Sequence, residues 1–222
     1  MIALPYFPWL PRLPSSAVVL FVALWVIASA AFLFGYRARL AGAIIAGLAA
    51  YTLALDQQTY SNHLYLFLLI VLLLTVANSG GALSIDMGGD CDEAAVWPIF
   101  LLKVQVSLVY AFSAIAKLTP QYLSGDVLAH TLRQNGWIVF PQSIRTPGLL
   151  IGLAISGIVL ELFIATGLWI KRVRGVAVFA GLILHFFILT MLDSSRLSLT
   201  IFALELCALY PLFFQRFRSQ LN

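Results

Sequence analysis

Tyr110, Ser113 and Lys117 recur at intervals of three and four residues, so a helix carries all three on one face. That face sets two hydroxyls and an amine on an otherwise apolar rod. An amine in a membrane helix is costly unless it snorkels, pairs or lines a wet cavity. Lys117 is therefore either an interfacial lysine at a helix end or a group that handles protons. Asn62 and His63 follow Ser61 at the start of another apolar run, where Ser61 or Asn62 can cap the helix. His63 is either an amphipathic interface residue or a base supplied with a partner. His185 sits between Leu184 and Phe186, which suits a hydrogen-bonded core histidine. Glu161 and Glu205 interrupt apolar runs, and each needs a raised affinity for its proton or a cation such as Lys103, Lys117 or an arginine. Glu161 is expected to face the interior with a hydrogen-bond partner, and Glu205 to form a structural interhelical pair.

The elements that position these groups follow from composition. Of 222 residues, 62% are hydrophobic and 10% charged, more apolar surface than a soluble domain of this size can bury. The net charge of +4 rests on so few charges that no nucleic-acid footprint is expected. Two cysteines, Cys91 and Cys207, and three scattered histidines offer no metal-ligand spacing, so no metal is expected. The class is all-α, a polytopic membrane bundle in a single domain over residues 1–222. Seven spans are expected: Ser16–Tyr36, Leu40–Leu55, His63–Asn78, Trp97–Lys117, Leu149–Ile170, Gly175–Leu192 and Leu197–Phe214. Ala28-Ser29-Ala30 resembles a cleavage site, but further spans follow at once and the first helix is read as retained.

Loop charges set the orientation. Arg37, Arg39, Lys171, Arg172, Arg174, Arg216 and Arg218 fall on one side, against Arg12, Arg133, Arg145 and Arg196 on the other. The bias predicts the amino terminus outside and the carboxyl terminus inside; the membrane is expected to be a bacterial inner membrane. On that topology His63, Lys117 and His185 share the outer leaflet, and Asn62, His63, Lys117 and His185 are expected to line one cavity. Residues 80–96 form an acidic glycine-rich turn without calcium-loop spacing, which places Cys91 on the inner side. Gln121–Arg145 mixes apolar and charged residues at helical intervals and predicts an amphipathic or re-entrant outer-face helix, anchored by Trp137 and Phe140.

Three stretches carry a resemblance to a known family. They are LDQQTYSNHLYL at 55–66, SID at 84–86 with QVSLVYAFSAIAKL at 105–118 and its Tyr122-Leu123-x-Gly125 continuation, and the Glu161 span with HFFILTM from His185. In that order they resemble the membrane portion of vitamin K-dependent gamma-carboxylase and, more broadly, the HTTM (horizontally transferred transmembrane) domain family. The resemblance implies that Lys117 acts as base toward a reduced quinone of the vitamin K hydroquinone type. It implies that His63 and Asn62 orient that group and that His185 belongs to the active region. Tyr110, Ser113, Glu161 and Arg133 are then expected to line the quinone. Where that enzyme has two adjacent lysines, Ala116 here precedes Lys117, and no counterpart of its lumenal domain follows Asn222, so docking of protein substrates is not expected. The resulting expectation is a quinol-dependent, carboxylase-like or oxidoreductase-like membrane enzyme. A non-catalytic subunit that binds a lipid or protein partner is the alternative. A transporter is disfavoured because no inverted repeat is evident.

Overall fold

The computed structural model describes residues 7, 9–55, 60–77, 96–132, 141, 145–191 and 196–215. These residues are helical wherever they are regular: α1 Ser15–Leu33, α2 Ala38–Leu55, α3 Asn62–Val76, α4 Val96–Ala116, α5 Pro120–Leu123, α6 Asp126–Thr131, α7 Pro147–Gly167, α8 Arg174–Met191 and α9 Arg196–Leu209, which runs into a 3-10 turn at Tyr210–Phe214. Five stretches among them are long and apolar enough to cross a membrane: α1, α2, α4, α7 and the run Leu197–Phe214. The third and sixth of the seven expected spans are shorter apolar helices, Asn62–Val76 and Arg174–Thr190. At 1.5 Å per residue the 15 residues of α3 extend about 22 Å, short of a hydrocarbon core of about 30 Å. Much of the outer surface of α1 is lipid-like, with Val19 75% and Leu20 72% exposed. Apolar side chains thus face outward where a soluble protein would place charge, and the chain is an integral membrane protein of all-helical build.

The chain divides into two compact units, Met1–Leu102 and Lys103–Asn222. In the first, α2 packs against both α1 and α3. Its buried face is made of Ala41, Gly42, Ile45, Ala46, Ala49 and Leu53, and the alanines and the glycine among them let helix backbones approach closely. Ala28, Ile45, Ala46 and Val71 form the core there, with Trp25, Phe32 and Phe67 closing over it. The Tyr51 hydroxyl donates to the Pro11 carbonyl at 2.7 Å and ties the segment that leads into α1 to α2.

In the second unit α7 packs against α8, α8 against α9, and both α5 and α6 lie on α7. Two Thr-Pro pairs start helices here by one device. Thr119 and Thr146 accept the amide hydrogens of Tyr122 and Leu149, and Pro120 and Pro147 supply a fixed φ at the first helical position. Arg174 closes the other end of α7, its Nε donating to the Leu168 carbonyl at 2.8 Å. The guanidinium also stacks on Phe214, 5.6 Å from the ring centroid.

Two expected helices are broken. The amphipathic segment expected over Gln121–Arg145 is, as far as it is described, two short helices, α5 and α6. Gly125 separates them at φ 82°, and a Cβ there would stand 2.7 Å from that of Leu150. Only glycine combines that backbone with so close an approach to α7. The last span does not stay α-helical to Phe214: Pro211 has no amide hydrogen to give, and the chain tightens to 3-10 geometry from Tyr210. The acidic turn at 80–95 with Cys91, the SID motif, Trp137 and Phe140 lie outside the described residues.

Candidate functional site

Within the second unit α4 turns one face inward along its whole length from Lys103. Lys103, Val106, Tyr110 and Ala114 are buried on it, at helical intervals of three and four. Polar side chains on or beside this face each find a different partner. Lys103 lies 6.0 Å from the centroid of the Phe213 ring. Ser107 Oγ accepts the indole hydrogen of Trp169 at 2.7 Å. Below them the face divides into two hydrogen-bonded clusters.

The first cluster is built on the end of α4. Lys117 sits in the turn just past Ala116, and its Nζ pairs with Glu161 Oε1 from α7. Ser113, one turn earlier, accepts from Lys117 Nζ at 2.8 Å and donates to the same Glu161 Oε1 at 2.9 Å. Two side chains from α4 and the turn after it thus converge on one carboxylate oxygen of α7. The other oxygen, Glu161 Oε2, is buried and has no hydrogen-bond partner among the described residues. Glu161 is 4% exposed overall, whereas the Lys117 side chain retains 26% of its surface. The lysine therefore caps the cluster on its accessible side and the glutamate seals its interior. Of the three hydrogens on the Lys117 ammonium, two are committed to Ser113 and Glu161.

Tyr122 overlooks this cluster. Its hydroxyl lies over Gly157, one turn before Glu161, where a Cβ would come within 3.6 Å. Burial, and after it the negative charge of Glu161, push the Tyr122 phenol up. It stays a neutral donor through the physiological range.

The second cluster is deeper in the helix. The Tyr110 hydroxyl reaches His185 Nε2 on α8 at 2.8 Å and also bonds the hydroxyl of Tyr210. Tyr110 and Tyr210 are each 2% exposed and His185 8%. Gly181, one turn before His185, leaves the space that the Tyr210 hydroxyl occupies; any side chain there would collide with it. Three helical elements are therefore fixed to each other through one phenol.

Of the residues named from sequence, Lys117, Ser113 and Glu161 come together, and Tyr110 joins His185 in a separate cluster. Glu161 faces the interior with partners, as a membrane carboxylate must. Asn62 and His63 stand at the start of α3 in the first unit, with His63 Nε2 3.3 Å from Ser61 Oγ. Ser61 is the residue before the helix, but its side chain makes no capping bond. Arg133 lies outside the described residues. Glu205 Oε2 is buried without a hydrogen-bond partner among the described residues, where Glu161 is the span carboxylate that pairs with Lys117. Sequence reasoning missed Tyr210 and Trp169 and gave Tyr122 no role. The signal available for all three was a polar atom on an aromatic ring within or beside an apolar run.

A family model described as HTTM domain matches residues 1–216, nearly the whole chain. No curated protein and no solved structure matches it.

Proposed function

Because the chain belongs to the HTTM domain family, a membrane domain family related to gamma-carboxylase, we propose that it is a quinol-dependent membrane enzyme of carboxylase-like or oxidoreductase-like type. The observation that carries this reading is the Lys117–Ser113–Glu161 cluster: a lysine at the end of a membrane helix, next to a buried carboxylate with one oxygen unused. A reduced quinone fits such a place, since it is apolar in body and presents hydroxyl groups that both donate and accept. When bound, it would supply reducing equivalents. Lys117 and Glu161 hold its polar end and handle its proton, Ser113 fixes the shared oxygen, and Tyr122 donates from above. Tyr110, His185 and Arg133 belong to the walls in this reading.

In the same proposal all seven apolar runs cross a bacterial inner membrane, amino terminus outside, and the substrate is met at the outer face. Loop charge supports that orientation, and snorkelling flanks make up the length that the third and sixth spans lack. A second reading, a non-catalytic lipid- or partner-binding subunit, is favoured by the pairing of Lys117 with Glu161, which also suits interhelical glue. Thermal unfolding of the purified protein with a panel of quinols and quinones separates the two. A quinol that stabilises the native chain and not Lys117→Ala supports the enzyme; indifference to every quinol favours the subunit.

A further inference from the structure

Toward the start of α4, away from Lys117, the second unit holds another charged cluster, and this one is built from cations. Lys103 is 4% exposed, so its amine does not snorkel out to water. Its Nζ lies 6.0 Å from the centroid of the Phe213 ring, and the Arg174 guanidinium lies 5.6 Å from that of the next residue, Phe214. The positive charge of Arg174 acts on Lys103. Two cations thus stand over neighbouring rings of one 3-10 turn, and one of them is buried. Like charges brought together away from water repel, and a ring face attracts a cation without neutralising it. The turn that carries Arg174 supplies no counter-charge, since no Asp or Glu occurs between Glu161 and Asp193. Among the described residues no carboxylate pairs with Lys171, Arg172 or Arg174. Glu161 is held by Lys117, about 20 Å further along α4 at 1.5 Å per residue.

The chemistry of this place calls for an anion. Arg174 gives Nε to the Leu168 carbonyl at 2.8 Å and Nη2 to the Trp169 carbonyl at 3.4 Å. Those bonds fix the guanidinium and leave three of its five N–H hydrogens for an acceptor beyond the described residues. The rim is apolar. Trp169 is held by its indole bond to Ser107 at 2.7 Å and by edge-on packing against Phe213 at 5.6 Å. Trp169 remains 39% exposed, Ile170 53% and Phe214 55%. A free ion gains nothing from such a rim, whereas a phospholipid lays its glycerol and upper acyl chain there. We infer that Lys103 and Arg174, with Trp169, Phe213 and Phe214, form a binding site for the phosphodiester headgroup of an anionic phospholipid. The site is independent of whatever the Lys117–Glu161 cluster binds. The phosphate accepts from the guanidinium and sits against the ammonium, and exposed Lys171 and Arg172 add attraction at longer range. A phosphatidylcholine brings the same phosphate but adds a third cation to a place that already has two. The site therefore selects lipids of net negative charge.

Native mass spectrometry of the full-length protein, stripped of lipid in detergent, tests this with added phosphatidylglycerol, phosphatidylcholine or inorganic phosphate. At about fivefold for each cation near the headgroup, one phosphatidylglycerol should bind at least about tenfold more tightly than phosphatidylcholine. Lys103→Met and Arg174→Gln should each remove about fivefold of that preference. Lys171→Gln/Arg172→Gln clears exposed charge only and should keep most of it. Equal binding of the two lipids by the native chain would overturn the inference. A preference lost in the Lys171→Gln/Arg172→Gln variant but kept in Lys103→Met would do the same, because that pattern is diffuse attraction to a basic loop. Displacement of bound phosphatidylglycerol by millimolar inorganic phosphate would assign the site to the free ion and overturn the lipid assignment. If Lys103→Met and Arg174→Gln fail to fold, the native chain still decides. A phosphatidylglycerol with a photoreactive headgroup should crosslink to Lys103–Ser107, Trp169–Arg174 or Phe213–Gln215, and crosslinks confined to other segments would refute the site.

Discussion

Breaking the Lys117–Glu161 pair from either side should cost more than removing it whole. Lys117→Met leaves a carboxylate that is 4% exposed with only the Ser113 hydroxyl for company. Stripping one partner from a buried pair costs about 3–5 kcal/mol, and the lower figure, about 3, applies because Ser113 continues to donate. Glu161→Leu leaves the ammonium, but Lys117 keeps 26% of its side-chain surface and can turn toward the interface, so about 2 kcal/mol is expected. Glu161→Gln should cost less, about 1 kcal/mol, since the amide still accepts from Lys117 and Ser113. The double variant Lys117→Met/Glu161→Leu replaces a buried carboxylate and a part-buried ammonium by apolar side chains of similar volume and should cost about 1 kcal/mol or less. Ser113 can then donate to the carbonyl four residues earlier. The singles would sum to about 5 kcal/mol against about 1 for the double, a coupling of about 4 kcal/mol. Equilibrium unfolding in mixed micelles, with the native chain and the four variants at one lipid-to-detergent ratio, measures each term. Single costs that add to the double within about 0.5 kcal/mol would refute the argument, because that is what two independent sites give.

Three further outcomes follow from the second unit. Tyr110→Phe strands both His185 and Tyr210 and should lower stability by about 1–3 kcal/mol, whereas Tyr210→Phe, which frees only one partner, should cost less; thermal unfolding ranks the two. Gly125→Ala forces a side chain into left-handed backbone and against Leu150, so a loss of more than about 1 kcal/mol is expected, with faster proteolysis between α5 and α6 as the visible sign. The raised Tyr122 phenol binds its proton more tightly in the folded chain than in the unfolded one. Stability should therefore decline as pH rises past about 10, the ordinary tyrosine value, and Tyr122→Phe should flatten that decline in an alkaline unfolding series.

Apolar runs made the helices legible, since a stretch as apolar as Ser15–Leu33 has few other stable forms. The face shared by Tyr110, Ser113 and Lys117 was legible from period alone, and so was the need of Glu161 for a partner. Which cation would meet it was not: Lys103 lies within α4 and Lys117 just past its end, and the choice is made by packing between residues 44 apart in sequence. Tyr210 was invisible for the same reason at greater range, its partner lying 100 residues back. Spacing also could not divide the α4 face into two clusters, because that depends on how α7 and α8 are rotated. The break at Gly125 was obscured by an amphipathic pattern that continues on both sides of it, although glycine itself was the clue. Ladder ends carry little information in a membrane sequence, which is why the 3-10 finish at Pro211 replaced an expected helix.

The order in which a ribosome delivers these helices gives the inward face of α4 a biosynthetic cost. Glu161 arrives 44 residues after Lys117, His185 arrives 75 residues after Tyr110, and Tyr210 arrives 100 residues after it. At about 5–20 residues per second, Tyr110 waits roughly 5–20 s for its last partner. During that interval α4 must stay in the shelter of the insertion machinery, of early neighbours or of a chaperone, with its phenol and amine unmatched by their final partners. A chain truncated after α7 would satisfy the lysine and still leave the tyrosine without its histidine, so its quality control should come in two stages, each with its own half-life.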